Sequence, residues 1–114
     1  MKFYEKLQNI FQTHRALESQ NIDYETAKTI LKNEKNAILI DVRSPQEYSE
    51  GHLDGSINIS LYDLENDCKK TNINKEDIII LYCQYGSRSK KALKILENNG
   101  YKNLYQIQGG LDEI

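Results

Sequence analysis

Alternating strand and helix signals along the 114-residue chain predict an α/β domain: a small, mostly parallel sheet flanked by helices. Three observations carry this. Ala37-Ile38-Leu39-Ile40 is a short, continuous apolar run, as expected of a strand covered on both faces. Ile78-Ile79-Ile80-Leu81-Tyr82 is a second run of the same kind and the most apolar stretch of the chain. Segments with helical spacing lie before, between and after them.

In chain order, Phe3, Leu7, Ile10, Phe11 and Leu17 recur near helical spacing, so residues 2–18 read as an amphipathic helix, an extension (1–18) that either docks on the domain (19–114) or makes a dimer or partner contact. Glu18-Ser19-Gln20-Asn21 reads as a polar joint. Asp23 can cap a second helix whose Tyr24, Ala27, Ile30 and Leu31 share a face. After the strand at 37–40, Ser44-Pro45-Gln46-Glu47 combines an N-cap serine, a proline suited to the first helical position and a glutamate that completes a capping box. Gly51 ends that short helix. Ser56 to Ile59 alternates like a brief strand, Ser60 caps a short helix through Leu61 and Leu64, and Asn66 to Glu76 reads as a solvated connection. The strand at 78–82 leads into a loop and a helix bearing Ala92, Leu93 and Leu96, stopped by Asn99-Gly100. Asn103 to Ile107 is a final strand and Gly109-Gly110 a turn.

The totals exclude several function classes. Fifteen cations against seventeen anions give a net charge of −2, which supplies no electrostatic reason to expect nucleic acid. No stretch approaches the roughly 18 apolar residues of a membrane span, and the charges in Met1 to Lys6 interrupt any signal-peptide core. The expectation is a cytoplasmic protein. Cys68 and Cys83 lie far apart, with no CxxC and no paired histidine spacing, so no metal site and no cofactor are expected.

Cys83 opens the run Cys83-Gln84-Tyr85-Gly86-Ser87-Arg88-Ser89 at the end of a buried strand. Cationic surroundings and helix N-termini lower a cysteine's pKa from about 8.5 to between about 3.5 and 7.5, which makes it a nucleophile. Gly86 permits positive φ, the helix begins near Ser87 to Ser89, and the loop N–H groups would converge on the sulfur as an anion nest, with Arg88 adding a fixed charge. An open parallel sheet binds ligands beyond the carboxyl ends of its strands, so Asp41 and Arg43 at the end of one strand belong on the same rim as Cys83.

With these residues in place the sequence resembles the rhodanese-like family of single-domain sulfurtransferases. The matching stretches are Asp41 to Tyr48, Gly51 to Ile59, the loop Cys83 to Ser89, and Gly100 to Leu104 with Gly109-Gly110. They occur in order over roughly residues 20–112. The resemblance implies sulfur transfer through a persulfide. Cys83 would attack the outer sulfur of a small-molecule donor, thiosulfate or a persulfide, and a thiol or cyanide acceptor would then take that sulfur. A protein could serve as donor or acceptor. Loop N–H groups from Gln84 to Ser89, including those of Tyr85, Gly86 and Ser87, would hold the persulfide's terminal sulfur.

Four residues separate Cys83 from Arg88. Family members with a phosphatase or arsenate reductase role place five there, so the spacing favours one added sulfur atom over a tetrahedral oxyanion. Thiosulfate users often carry further cations in the loop, and here Arg88 is the only one, with Gln84 and Tyr85 in between. A non-turnover persulfide carrier or sensor serving a partner protein is the alternative reading. The resemblance makes Asp41 a structural brace of the loop, and Arg43 is expected to pair with Glu47 one helical turn on. His52 reads as a hydrogen-bonded turn histidine, and Cys68 as a free surface or half-buried thiol.

Overall fold

The computed structural model describes residues 20–114. The helix expected over residues 2–18, and the boundary of the proposed extension, lie outside them. Strands β1 (Asn21–Ile22), β2 (Ala37–Asp41), β3 (Ile57–Asn58), β4 (Ile78–Tyr82) and β5 (Asn103–Ile107) form one sheet in the order β1-β5-β4-β2-β3, every pair parallel. The helices are α1 (Tyr24–Asn33), α2 (Pro45–Ser49), α3 (Leu64–Lys70) and α4 (Ser87–Asn98), and a 3-10 turn covers Gly110–Glu113.

All five residues of β4 are buried, as its unbroken apolar run requires. Because side chains alternate across a strand, β4 serves two cores. Ile79, Leu81 and, one step on, Cys83 join Leu64, Cys68, Ala92, Leu93 and Leu96 under α3 and α4. Ile78, Ile80 and Tyr82 join Ala27 and Ile30 of α1 on the opposite face. Burial of each such aliphatic side chain is worth about 1.5–3 kcal/mol, so the strand that delivers Cys83 is anchored from both sides.

Register sets the site. Ile40 lies opposite Leu81 and Asp41 opposite Tyr82, so β2 and β4 end together. Asp23 caps α1 by accepting from the Thr26 N–H at 2.8 Å. Ser44 and Glu47 close the expected capping box with Pro45 at the start of α2.

Four expectations are corrected. The polar joint runs into β1: Asn21, its last residue, is the first of the two that pair with β5, too few to show a period. The short helix does not begin at Ser60: the Ser60 hydroxyl bonds Asp63, and α3 starts at Leu64. That helix runs into the supposed solvated connection, placing Leu64 and Cys68 inward at i and i+4 while Glu65, Asp67, Lys69 and Lys70 face outward or half outward. Cys68 is accordingly fully buried, not a surface thiol, and burial pushes its pKa up to about 11.

Candidate active site

The loop after β4 closes on the Cys83 sulfur. Gly86, at φ 101, turns the chain so that its own N–H donates to Cys83 Sγ at 3.1 Å, and the Ser89 N–H at the start of α4 donates at 3.4 Å. The Ser89 hydroxyl lies 3.6 Å from the sulfur. Gly86 and Ser89 are thus the two loop N–H groups that meet the sulfur, and α4 adds the positive end of its dipole. Ser87 and Tyr85 face solvent, Tyr85 with 69% of its surface exposed.

Cys83 itself has no exposed surface. The place expected for a persulfide's terminal sulfur, against the loop N–H groups, is therefore closed in this structure, because those groups already meet Cys83 Sγ. The 3-10 turn locks this arrangement: the Leu111 N–H donates to the Cys83 carbonyl at 3.0 Å and the Asp112 N–H to the Gln84 carbonyl at 2.9 Å. Gly110, at φ 66, makes the close passage possible, since a Cβ there would collide with both carbonyl oxygens.

Arg88 has its fixed charge engaged by α2. Its Nη1 and Nη2 donate to Glu47 Oε1 and Oε2 at 2.7 and 3.0 Å, joining α4 to α2 in a two-pronged ion pair. Arg88 beside it, helped by the Ser44 N–H and hydroxyl, lowers the Glu47 pKa to about 2. A carboxylate depressed on folding contributes stability that is complete above its unfolded pKa, near 4.3, and lost as pH falls through about 2. Both side chains are about one-third exposed, so the pair is worth at most about 1 kcal/mol. The stability gap between wild type and Glu47→Gln should therefore shrink as pH drops from 5 towards 2, read as converging urea midpoints; a gap independent of pH would refute the pairing.

Arg43 pairs with Asp41, not with Glu47 as expected. Its Nε and Nη2 donate to both Asp41 oxygens at 2.8–3.1 Å, and its backbone N–H adds a bond of 2.9 Å. Both residues are buried, and Glu47 is already taken by Arg88. The pair lifts the Arg43 pKa further above its ordinary value. The same guanidinium donates to the Gly51 carbonyl at 2.6 Å and to Gln84 Oε1 at 3.4 Å, tying the ends of β2 and α2 to the loop. Asp41 thus braces the rim through Arg43. Beside it the Tyr82 hydroxyl accepts from the Leu53 N–H and bonds the Ser56 hydroxyl, both at 3.0 Å, and burial raises its pKa to about 12. His52 bonds the Tyr48 carbonyl at 2.8 Å and stacks on the Tyr48 ring, the turn role expected of it.

Sequence reasoning missed Gln106. This β5 residue, 7% exposed, accepts from the Ser89 hydroxyl at 2.7 Å. The signal was present: a glutamine inside Leu104-Tyr105-Gln106-Ile107 is a buried polar side chain, which needs a partner.

A parallel α/β sheet thus ends its central strand β4 in a cysteine whose sulfur accepts from two backbone N–H groups. The chain belongs to the rhodanese-like domain family, whose model matches residues 23–114. It is 34% identical over 107 residues to thiosulfate:glutathione sulfurtransferase of Saccharomyces cerevisiae, covering 82% of this chain and 76% of that one. It is 36% identical over 96 residues to tRNA uridine(34) hydroxylase of Buchnera aphidicola, covering 77% of this chain but only 30% of the hydroxylase. Among solved structures it superposes on a rhodanese with anions from Escherichia coli, with a TM-score of 0.62, 35% identity and coverage of 68% and 91%. Among the described residues no helix is long and apolar enough to cross a membrane.

Proposed function

We propose that this domain is a sulfurtransferase that carries sulfane sulfur on Cys83. The observation that carries the reading is the pair of N–H donors, from Gly86 and Ser89, directed at Sγ at the end of β4. They compensate negative charge on the sulfur, as an oxyanion hole does. In the first step the Cys83 thiolate attacks the outer sulfur of the donor. One S–S bond forms, the donor's S–S or S–S(O) bond breaks, and the bonding pair leaves with the thiolate or sulfite. In the second step an acceptor thiolate attacks the outer sulfur of the Cys83 persulfide, and the pair returns to Cys83. No net oxidant or reductant is consumed.

The commitment of Arg88 to Glu47 supports a singly charged persulfide donor over thiosulfate, a dianion that would need a free cation at the loop. Burial of Cys83 requires the Gln84–Gly86 segment to yield before either substrate reaches the sulfur. That burial also favours a second reading, in which the domain carries or senses sulfur for a partner protein that opens the loop and turns over free thiosulfate poorly.

Incubation with glutathione persulfide or thiosulfate should add one sulfur to the Cys83 peptide by mass spectrometry, and none to Cys68. Absence of that adduct with both donors would end the proposal. Steady-state thiocyanate formation from cyanide separates the readings, since a trapped adduct with negligible turnover belongs to the carrier.

A further inference from the structure

A chain of polar groups leads from the Cys83 sulfur across the sheet to Asn21, exposed on the edge strand β1. Cys83 Sγ lies 3.6 Å from Ser89 Oγ, Ser89 Oγ lies 2.7 Å from Gln106 Oε1, and Gln106 Nε2 donates to Asn21 Oδ1 at 2.7 Å. Ser89 has no exposed surface and Gln106 only 7%, so bulk water does not set the hydrogen positions.

The hydroxyl of Ser89 has one hydrogen and two oxygen acceptors, Gln106 Oε1 at 2.7 Å and the Gly86 carbonyl at 3.1 Å, while the Cys83 thiol donates to it at 3.6 Å and would compete as an acceptor when ionised. The shortest contact claims the hydrogen. The hydroxyl then turns a lone pair towards Sγ, which suits an S–H donor and opposes a bare anionic sulfur. A half-turn of the Gln106 carboxamide reverses this with almost no change in shape, because oxygen and NH₂ exchange places. The NH₂ would donate to Ser89 Oγ and leave the hydroxyl hydrogen to two rivals: the Gly86 carbonyl, which already accepts from the Lys90 N–H, and the sulfur, which is the stronger acceptor once it is anionic. The bond from Nε2 to Asn21 biases the carboxamide towards the first orientation.

We propose that Gln106 is a positioning residue that sets, through the single hydrogen of Ser89, whether the Cys83 sulfur meets a lone pair or a hydroxyl donor. The proposed transfer starts from an anionic sulfur and returns to one, so this two-state group tunes how much of Cys83 is present as the attacking thiolate. The inference rests on Cys83 as the nucleophile of the proposed reaction. Its test uses an alkylating agent instead of a sulfur donor, so failure of sulfur transfer and failure of the switch are read separately.

The full chain is alkylated with iodoacetamide across a range of pH, with modification of the Cys83 peptide followed by mass spectrometry. The midpoint of the pH–rate profile is the readout, because loop opening scales the rate at every pH and leaves the midpoint in place. Gln106→Met removes the competing acceptor and should move the midpoint down by roughly half a pH unit. Ser89→Ala should cancel that displacement, so that Ser89→Ala and the Ser89→Ala/Gln106→Met double variant share one midpoint. An unmoved midpoint in Gln106→Met overturns the proposal, and so does an equal displacement in the Ser89→Ala background, since a purely structural glutamine would not need the hydroxyl. If Gln106→Met does not fold, Gln106→Asn, which withdraws the amide from Ser89 by one methylene, is expected to displace the midpoint in the same direction.

Discussion

Cys83→Ser should abolish sulfur transfer, by at least about 10³-fold in thiocyanate formation, while leaving the fold in place. A serine hydroxyl fills nearly the same volume in the packed site and can accept from the Gly86 and Ser89 N–H groups that now meet the sulfur. It cannot form the S–S bond that stores the transferred atom, and it ionises far less readily than a thiol. The urea midpoint should stay close to wild type. Turnover comparable to wild type would remove Cys83 from the mechanism, and a collapse of stability would assign it a packing role instead.

Arg43→Met should be the most damaging single change to stability. It strands the Asp41 carboxylate, which has no exposed surface and takes three of its hydrogen bonds from the Arg43 side chain. Breaking a buried pair by removing one partner costs about 3–5 kcal/mol. For a domain of this size that lowers the melting temperature by roughly 10 °C or more. The control is the Asp41→Asn/Arg43→Met double variant, which also removes the stranded charge and should recover part of the loss. If it recovers nothing, the damage comes from the lost bonds to Gly51 and Gln84, and the pair acts as a tie rather than as a compensated charge.

Much of the fold was legible because its signals are local. The runs at 37–40 and 78–82 are apolar at nearly every position, and Ser44, Pro45 and Glu47 state the start of α2 within four residues. The loop from Cys83 to Ser89 was legible for the same reason. What escaped depends on partners distant in sequence or on a face hidden behind charge. The charged residues around Cys68 concealed a helix with one inward stripe. The assignment of Glu47 depended on where α4 delivers Arg88, 41 residues later. Asp41 and Arg43 could have been paired from sequence, since residues two apart in an extended segment share a side. The link from Gln106 to Ser89 required the register of β5 against β4, which no local pattern encodes.

The contact between the last turn and the thiol loop makes the chain beyond Gly110 a mechanical tether. Leu111 and Asp112 hold the Cys83 and Gln84 carbonyls directly, with no other element interposed. Tension or a bulky fusion applied there is transmitted to the sulfur's cradle through two hydrogen bonds.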